Sequence, residues 1–124
     1  MYKKTLPPLS PEFCSLKEMF MKPQFIIGAA SSGSGKTTFT MGLLRALAHR
    51  GMRVQPYKCG PDYIDTQFHS LASKQVSVNL DTWLASEEHV RSLYHSYGKD
   101  ADVCTVEGVM GLYDGYSGMK GSSA

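Results

Sequence analysis

Short apolar runs alternate along the chain with longer stretches in which apolar residues recur every three or four positions. Runs of about four to eight residues between turn signals are typical of β-strands, and they occur at 24–28, 53–58 and 101–107. The longer pattern predicts helices at 36–50, at 65–73 and from 86 to about 97. Residues 76–80 fit neither pattern clearly. Alternating strands and helices predict right-handed βαβ units and a parallel sheet, which makes the fold class α/β.

Single residues refine these boundaries. Pro56 predicts that the second strand lies at an edge of the sheet or ends nearby, because proline has no N–H to donate. Asp65 or Thr66 is expected to cap the second helix, and Ser86 to cap the third. Trp83 is expected to lie in the core.

Composition and charge exclude several classes of protein. The 124 residues are 42% hydrophobic and 19% charged, which fits one globular domain. A net charge of +2 with both signs mixed along the chain predicts no nucleic-acid or membrane partner. No apolar stretch approaches the roughly 20 residues that span a bilayer. Three well-separated cysteines without C-x-x-C spacing favour a reducing cytoplasm over a disulfide framework or a zinc site.

The two ends of the chain differ from its middle. Residues 1–22 contain several prolines and no periodic pattern, so they are expected to be a flexible or miscalled extension. Residues 23–124 are expected to form part of an α/β domain. Because 115–124 is rich in glycine and serine without a closing element, the chain is expected to be the front part of a longer protein.

A loop of small residues that ends in Gly-Lys-Thr-Thr joins the first strand to the first helix. Small residues let backbone N–H groups approach phosphate oxygens, and the helix N-terminus adds partial positive charge. Lys36 is expected to reach the β- and γ-phosphates of ATP, and the Thr37 hydroxyl to bind Mg²⁺. The usual motif begins with glycine where Ala30 stands, so the loop is a variant. The expected phosphate-binding residues are Ser32, Gly33, Ser34, Gly35, Lys36, Thr37 and Thr38.

Carboxylates follow the second and third predicted strands. Ligands of parallel α/β sheets bind beyond the carboxyl ends of the strands. Glu107 ends the third strand and is expected to bind Mg²⁺ together with Thr37 and Asp62. Asp62 and Asp114 could equally be solvated loop carboxylates, and Asp65 a helix cap.

Histidine, cysteine and tyrosine give weaker signals. No histidine shares a ligand spacing with a cysteine or carboxylate cluster, and His69 is the only one close to the Asp62 loop. Cys59 adjoins this loop and is interpreted as a small apolar residue rather than a nucleophile. Tyr63 and Tyr113 lie in the predicted site loops, where they either stack on a ligand or pack.

Four segments of the chain resemble the cobyrinic acid a,c-diamide synthase family: 32–38 (SGSGKTT), 57–65 (YKCGPDYID), 79–81 (NLD) and 106–115 (VEGVMGLYDG). The resemblance covers about residues 24–124. It implies a P-loop NTPase-type, three-layer α/β/α domain of the dethiobiotin-synthetase type, with a mostly parallel sheet that is truncated at the C-terminus. It also implies a glutaminase domain outside this sequence. The chain departs from the family at Cys59, where a Val-like residue is common, and at Ala29-Ala30, which replace Gly-Thr.

The resemblance further implies amidation of the a and c carboxylates of cobyrinic acid. ATP phosphorylates each carboxylate, and ammonia from glutamine displaces phosphate from the acyl phosphate. By this resemblance the metal and phosphate site includes Asp62 and Glu107. The residues that handle substrate and intermediates are Tyr63, Asp65, Tyr113 and Asp114. We count Lys36, Lys58, Asp65 and Asp114 as candidate catalytic residues, with Lys58 neutralising a substrate carboxylate or the acyl phosphate as a hypothesis.

Two other functions stay open at the level of sequence. One is the same chemistry on a related tetrapyrrole, nickel sirohydrochlorin. The other is a partner-regulated P-loop ATPase of the septum-site or partition type. For the diamide synthase itself, a homodimer stays open. Those ATPases carry a second lysine early in the loop, where this chain has Ser31. The absence of that lysine and the carboxylates at Glu107 and Asp114 disfavour such a switch.

Overall fold

A parallel four-stranded sheet organises the computed structural model, which describes residues 22–114. Its elements are β1 (Gln24–Ile27), α1 (Lys36–His49), β2 (Val54–Cys59), α2 (Asp65–Ser73), β3 (Val78–Leu80), α3 (Glu87–Gly98) and β4 (Val103–Glu107). The predicted α/β class is confirmed, and the ambiguous segment at 76–80 contains a short strand. The extension expected at 1–22, apart from its last residue, and the end of the chain from 115 lie outside the described residues.

The strand order β1-β4-β2-β3 gathers the carboxyl ends of three strands. Ile27 at the end of β1 is in register with Glu107 at the end of β4, and Glu107 is in register with Lys58 of β2. The loop after β1 and the last residues of β4 and β2 therefore lie at one edge of the sheet. Ligands of parallel sheets bind at this edge.

The expectation for Pro56 is wrong, because β2 is an inner strand and Pro56 is well inside it. The pairing explains how proline is tolerated there. β3 is short and pairs with β2 only from Tyr57 onward, so Pro56 precedes that ladder. The missing N–H then costs β3 no hydrogen bond.

The two predicted helix caps have different outcomes. Ser86 caps α3 as expected, since its Oγ accepts a hydrogen bond from the His89 N–H at 3.2 Å. The cap predicted for α2 is wrong. Oδ1 of Asp62 accepts hydrogen bonds from the N–H groups of Ile64 and Asp65, each at 3.0 Å. The acceptor for the start of α2 therefore comes from a residue that precedes the helix. The side chain of Asp65 is thereby free to take part in the site.

Apolar residues cover both faces of the sheet and make the predicted three layers. On one face Leu44 of α1 and Ala72 of α2 pack on Val54 and Val103; on the other face lie Tyr57, Ala101, Cys104 and Val106, with Tyr94 of α3. Trp83 does not join either cluster and is 79% exposed, so the core assignment is wrong. It follows β3 in a turn in which its N–H bonds to Asp81 Oδ1 at 2.9 Å. Within 22–114, no helix is long and apolar enough to cross a membrane.

Candidate functional site

A cavity of about 410 Å³ opens at the carboxyl edge of the sheet. Ten of the predicted site residues line it: Ser32, Gly33, Gly35, Lys36, Thr37, Thr38, Lys58, Asp62, Asp65 and Glu107. Val109 and Met110 complete the wall. The structure thus brings together the loop after β1, the end of β2, the start of α2 and the end of β4.

The loop between β1 and α1 has a backbone that requires glycine at two positions. Gly33 and Gly35 have φ values of 74° and 89°, in the left-handed region that residues with a Cβ rarely adopt. Ser34 is turned away from the cavity, with its Oγ donating to the Ser31 carbonyl at 2.7 Å. Lys36 reaches across the cavity instead of outward, and its Nζ donates to the Met110 carbonyl at 2.5 Å. These are the conformation and the cation that a phosphate-binding loop needs.

The loop after β4 is attached to the loop after β1. The N–H of Leu112 donates to the Ala29 carbonyl at 2.7 Å. A Cβ at Gly111 would lie 2.8 Å from the Ala30 carbonyl oxygen, closer than any real side chain tolerates. The close approach of the two loops therefore requires glycine at 111, and Ala30 takes part in it through its backbone.

Lys58 occupies the centre of a cluster of carboxylates. Its Nζ lies 2.9 Å from Asp65 Oδ2, 3.2 Å from Glu107 Oε1 and 3.9 Å from Asp62 Oδ2, although the residue is only 3% exposed. The Thr37 hydroxyl lies between the same groups, 2.9 Å from Glu107 Oε1 and 3.2 Å from Asp65 Oδ2. Carboxylate oxygens thus converge on one buried ammonium group, and the Thr37 hydroxyl joins two of these carboxylates.

Charge pairing in this cluster opposes the effect of burial. Burial by itself raises the pKa of Glu107, but hydrogen bonds from His69 and Thr37 and the charge of Lys58 outweigh it and lower the pKa. Burial likewise disfavours the charged form of Lys58, but the contacts with Asp65 and Glu107 outweigh it and raise its pKa. Both groups are therefore charged at neutral pH.

His69 is a component of the site that sequence reasoning assigned no role. Its Nε2 lies 2.5 Å from Glu107 Oε2, and the ring is completely buried beside the cavity rather than in its wall. The sequence contains one signal for the burial of His69. Thr66, His69 and Ala72 are spaced three residues apart and form the buried face of α2. That pattern indicates burial without indicating which group the ring meets.

The donor set fits Mg²⁺. Thr37, Asp65 and Glu107 offer only oxygen atoms, which a small hard cation prefers, and the two carboxylates already hold the positive charge of Lys58. No group of three or more His, Cys, Asp or Glu side chains in 22–114 is arranged to hold a metal. In a usual Mg²⁺ site, one or two carboxylates are joined by phosphate and water oxygens.

The remaining predicted residues lie outside the cavity wall. Tyr63 and Tyr113 are exposed, and neither lines the cavity. The Asp114 carboxylate accepts the Gly111 N–H at 2.7 Å and so closes the turn after β4. Cys59 is half-buried, and burial raises the pKa of its thiol, which agrees with a packing role and not with a nucleophile.

Comparisons with known proteins agree with the resemblance inferred from the motifs. Residues 25–120 match the family model described as "CobQ/CobB/MinD/ParA nucleotide binding domain". The chain is 56% identical over 95 residues to the cobyrinate a,c-diamide synthase of Streptococcus sanguinis, which covers 74% of this chain and 21% of that protein. It is 50% identical over 93 residues to the enzyme of the same name from Listeria monocytogenes serotype 4b, with 74% and 21% covered.

A third relative has a different name. The hydrogenobyrinate a,c-diamide synthase of Streptomyces coelicolor is 51% identical over 96 residues, with 77% of this chain and 20% of that protein covered. This chain spans about a fifth of the length of the curated relatives it matches.

Proposed function

The chain belongs to the CobQ/CobB/MinD/ParA nucleotide-binding domain family, and on that premise we propose that it is the ATP-binding segment of a corrin a,c-diamide synthase. The observation that carries the proposal is the convergence of Lys36, Thr37 and Glu107 on one cavity that ends a parallel sheet. The printed names of relatives at about 50% identity supply the substrate class. The family model alone would fit a regulatory ATPase equally well.

The chain's own groups would bind the nucleotide phosphates. Backbone N–H groups of the loop after β1 and the N-terminus of α1 provide donors and partial positive charge. Lys36 would exchange the Met110 carbonyl for a phosphate oxygen, because a charged acceptor makes the stronger hydrogen bond. Thr37 and Glu107 would hold Mg²⁺ directly, with Asp65 and Asp62 close enough to act through water.

The reaction proposed for this site activates a carboxylate of the substrate by phosphorylation. In this reaction the γ-phosphoryl group of ATP would pass to the substrate carboxylate with release of ADP, and ammonia from glutamine would then displace phosphate from the acyl carbon. Thr37 and Glu107 would hold the Mg²⁺ that neutralises charge on the phosphates. Phosphoryl transfer needs positioning and charge neutralisation more than a protein nucleophile. Lys58 is the candidate to pair with the substrate carboxylate, which would have to replace one of its present partners, Asp65 or Glu107. Tyr63, Tyr113 and Asp114 remain candidates for substrate contacts at the rim.

The partners follow from this reaction. They are a corrin acid such as cobyrinic acid and ammonia released from glutamine, with no nucleic acid and no membrane; a homodimer and a cytoplasmic location belong to the same proposal. One relative is named for cobyrinate and another for hydrogenobyrinate, so the metal in the ring is not fixed by this segment.

A chimera tests the proposal directly. The matching segment of the Streptococcus sanguinis relative is replaced by residues 24–114 of this chain, and the product is assayed with cobyrinic acid, glutamine and ATP. We expect two successive mass changes, each corresponding to the replacement of one hydroxyl by an amino group. Glu107→Gln in the chimera should abolish both, and the unmodified relative is the positive control. A folded chimera that hydrolyses ATP without changing the corrin would contradict the proposed substrate.

A further inference from the structure

A completely buried imidazole adjoins the proposed metal site. His69 lies on the buried face of α2, between Thr66 and Ala72, with no exposed surface. Its Nδ1 lies 3.4 Å from the Ser77 hydroxyl, and the Ser77 N–H is itself bonded to Ser70 Oγ at 2.9 Å. Both sides of the ring therefore face polar groups that are fixed by the fold, which restricts its rotation.

The two oxygen atoms of Glu107 have separate partners. Oε2 faces His69 Nε2 at 2.5 Å, whereas Oε1 faces the Thr37 hydroxyl at 2.9 Å and Lys58. An ionised carboxylate can only accept hydrogen bonds, so Nε2 of His69 carries the proton in this contact. With Oε2 held in this way, rotation of the carboxylate is blocked and Oε1 stays directed into the cavity.

We propose that His69 is a positioning residue, which orients the Glu107 carboxylate so that Oε1 meets a cation bound beside Thr37. The inference rests on the proposed function and assigns a role to a residue that neither the motifs nor the relatives' names single out. When a group that forms a hydrogen bond to a metal-binding side chain is removed, metal affinity or activity typically falls by about ten- to a hundredfold.

Two other roles for His69 conflict with its location. A direct metal ligand or a proton-transfer group must reach the bound molecules, but His69 is absent from the cavity wall and has no exposed surface. A pure packing role would not need a polar ring, and an apolar residue in its place would leave Glu107 Oε2 without a donor. The imidazole is thus accounted for by its contact with Glu107.

The test separates Mg²⁺-dependent from Mg²⁺-independent binding of a fluorescent ATP analogue to the 124-residue chain. Affinity is measured with Mg²⁺ and with a chelator, for the wild type, His69→Leu and His69→Gln, and each variant is also melted thermally. The glutamine amide can place its nitrogen near the position of Nε2, whereas leucine has similar bulk and no donor. The exposed His89 provides the matched control, as His89→Leu.

With Mg²⁺ present, we expect His69→Leu to bind the nucleotide about ten- to a hundredfold more weakly than the wild type does. With chelator present, the two affinities should be nearly equal. His69→Gln should recover most of the loss, and His89→Leu should match the wild type. If His69→Leu does not fold, His69→Asn takes its place, because its shorter amide cannot reach Glu107.

Three results would overturn the inference. In the first, a folded His69→Leu or His69→Asn keeps the full Mg²⁺ effect. In the second, the affinities with Mg²⁺ and with chelator fall together with the melting temperature, as a purely structural role requires. Both leave the proposed function intact. In the third, the wild type binds no nucleotide in either buffer, which overturns the proposed function and this inference with it.

Discussion

The ammonium group of Lys58 lies 2.9 Å from the Asp65 carboxylate, and the contact joins the end of β2 to the first residue of α2. Asp65 is available for this contact because Asp62 supplies the hydrogen bonds to the N–H groups at the start of α2. The same ammonium also neutralises Glu107. Lys58 is therefore an internal counter-ion of the carboxylate cluster, in the place where substrate and metal charges would meet.

Removing this counter-ion should destabilise the fold. Lys58→Met leaves two carboxylates close together without a cation, and breaking a buried ion pair from one side costs about 3 kcal/mol. The change is measured as the free energy of unfolding in urea at neutral pH. Lys99→Met, at an exposed lysine, is the control and should stay within about 0.5 kcal/mol. Equal unfolding free energies for the two variants would contradict the role assigned to Lys58.

The free energy of unfolding should decrease at acidic pH because Glu107 becomes protonated. Its folded pKa lies below the ordinary value of 4.5, because hydrogen bonds from His69 and Thr37 and the charge of Lys58 outweigh the effect of burial. The stabilisation is therefore fully present above pH 4.5 and is lost as the pH falls through the folded pKa. Urea unfolding of the wild type and Glu107→Gln should differ most at neutral pH and converge in acid. A difference that stays constant with pH would argue against the lowered pKa.

The free energy of unfolding should also decrease at alkaline pH, where Lys58 loses its proton. Its pKa is raised above 10.5 by Asp65 and Glu107 in spite of burial, so its contribution is present below that pH and is lost as the pH rises through the folded pKa. The wild type should lose stability in this range more steeply than Lys58→Met. Parallel alkaline profiles for the two proteins would show that the lysine is not held in this way.

Two glycine substitutions should have opposite effects. A Cβ at Gly111 would lie 2.7 Å from Asp114 Oδ2 and 2.8 Å from the Ala30 carbonyl, so Gly111→Ala must push the two loops apart. We expect a loss of about 1–3 kcal/mol in unfolding free energy, as for other overpacked sites, and weaker nucleotide binding. Gly42→Ala is the control. It lies within α1 with no atom near its Cβ position, and alanine should stabilise the helix by about 0.5–1 kcal/mol. Equal stability of the two variants would contradict the close packing of the loops.

The cap of α3 offers a test of the fold away from the site. Ser86 Oγ accepts the His89 N–H, and loss of such a cap costs about 1 kcal/mol. Ser86→Ala should therefore lower the unfolding free energy by about that amount without changing nucleotide affinity. Ser92→Ala, at an exposed position inside the same helix, should change little. A large effect on nucleotide binding from Ser86→Ala would show that α3 is coupled to the site.

Sequence patterns predicted the elements well where the signal is local. The phosphate-loop motif, the Ser86 cap and the alternation of strands and helices each depend on neighbours along the chain, and the structure has them where expected. Pro56 was misplaced because strand order and the length of β3 decide its surroundings. Trp83 was misplaced because no local pattern encodes whether other elements pack over an aromatic side chain.

The site was predictable in outline but not in its contacts. Strand order brings the predicted carboxylates to one edge, as the rule for parallel sheets leads one to expect. Asp114 closes a local turn with Gly111, three residues earlier, instead of lining the cavity. The contact of His69 with Glu107 depends on three-dimensional packing of α2 against the end of β4, 38 positions apart in the chain. No short-range pattern encodes such contacts.

Calorimetric titration of the 124-residue chain with ATP, with and without Mg²⁺, tests the central claim most directly. We predict one ATP per chain, bound more tightly with Mg²⁺. Lys36→Met should weaken binding by about ten- to a hundredfold, the worth of one hydrogen bond to a charged group, and the exposed-site variant Lys99→Met should bind like the wild type. A folded wild-type chain that binds no ATP, or that binds it equally well after Lys36→Met, would contradict the assignment of the nucleotide site.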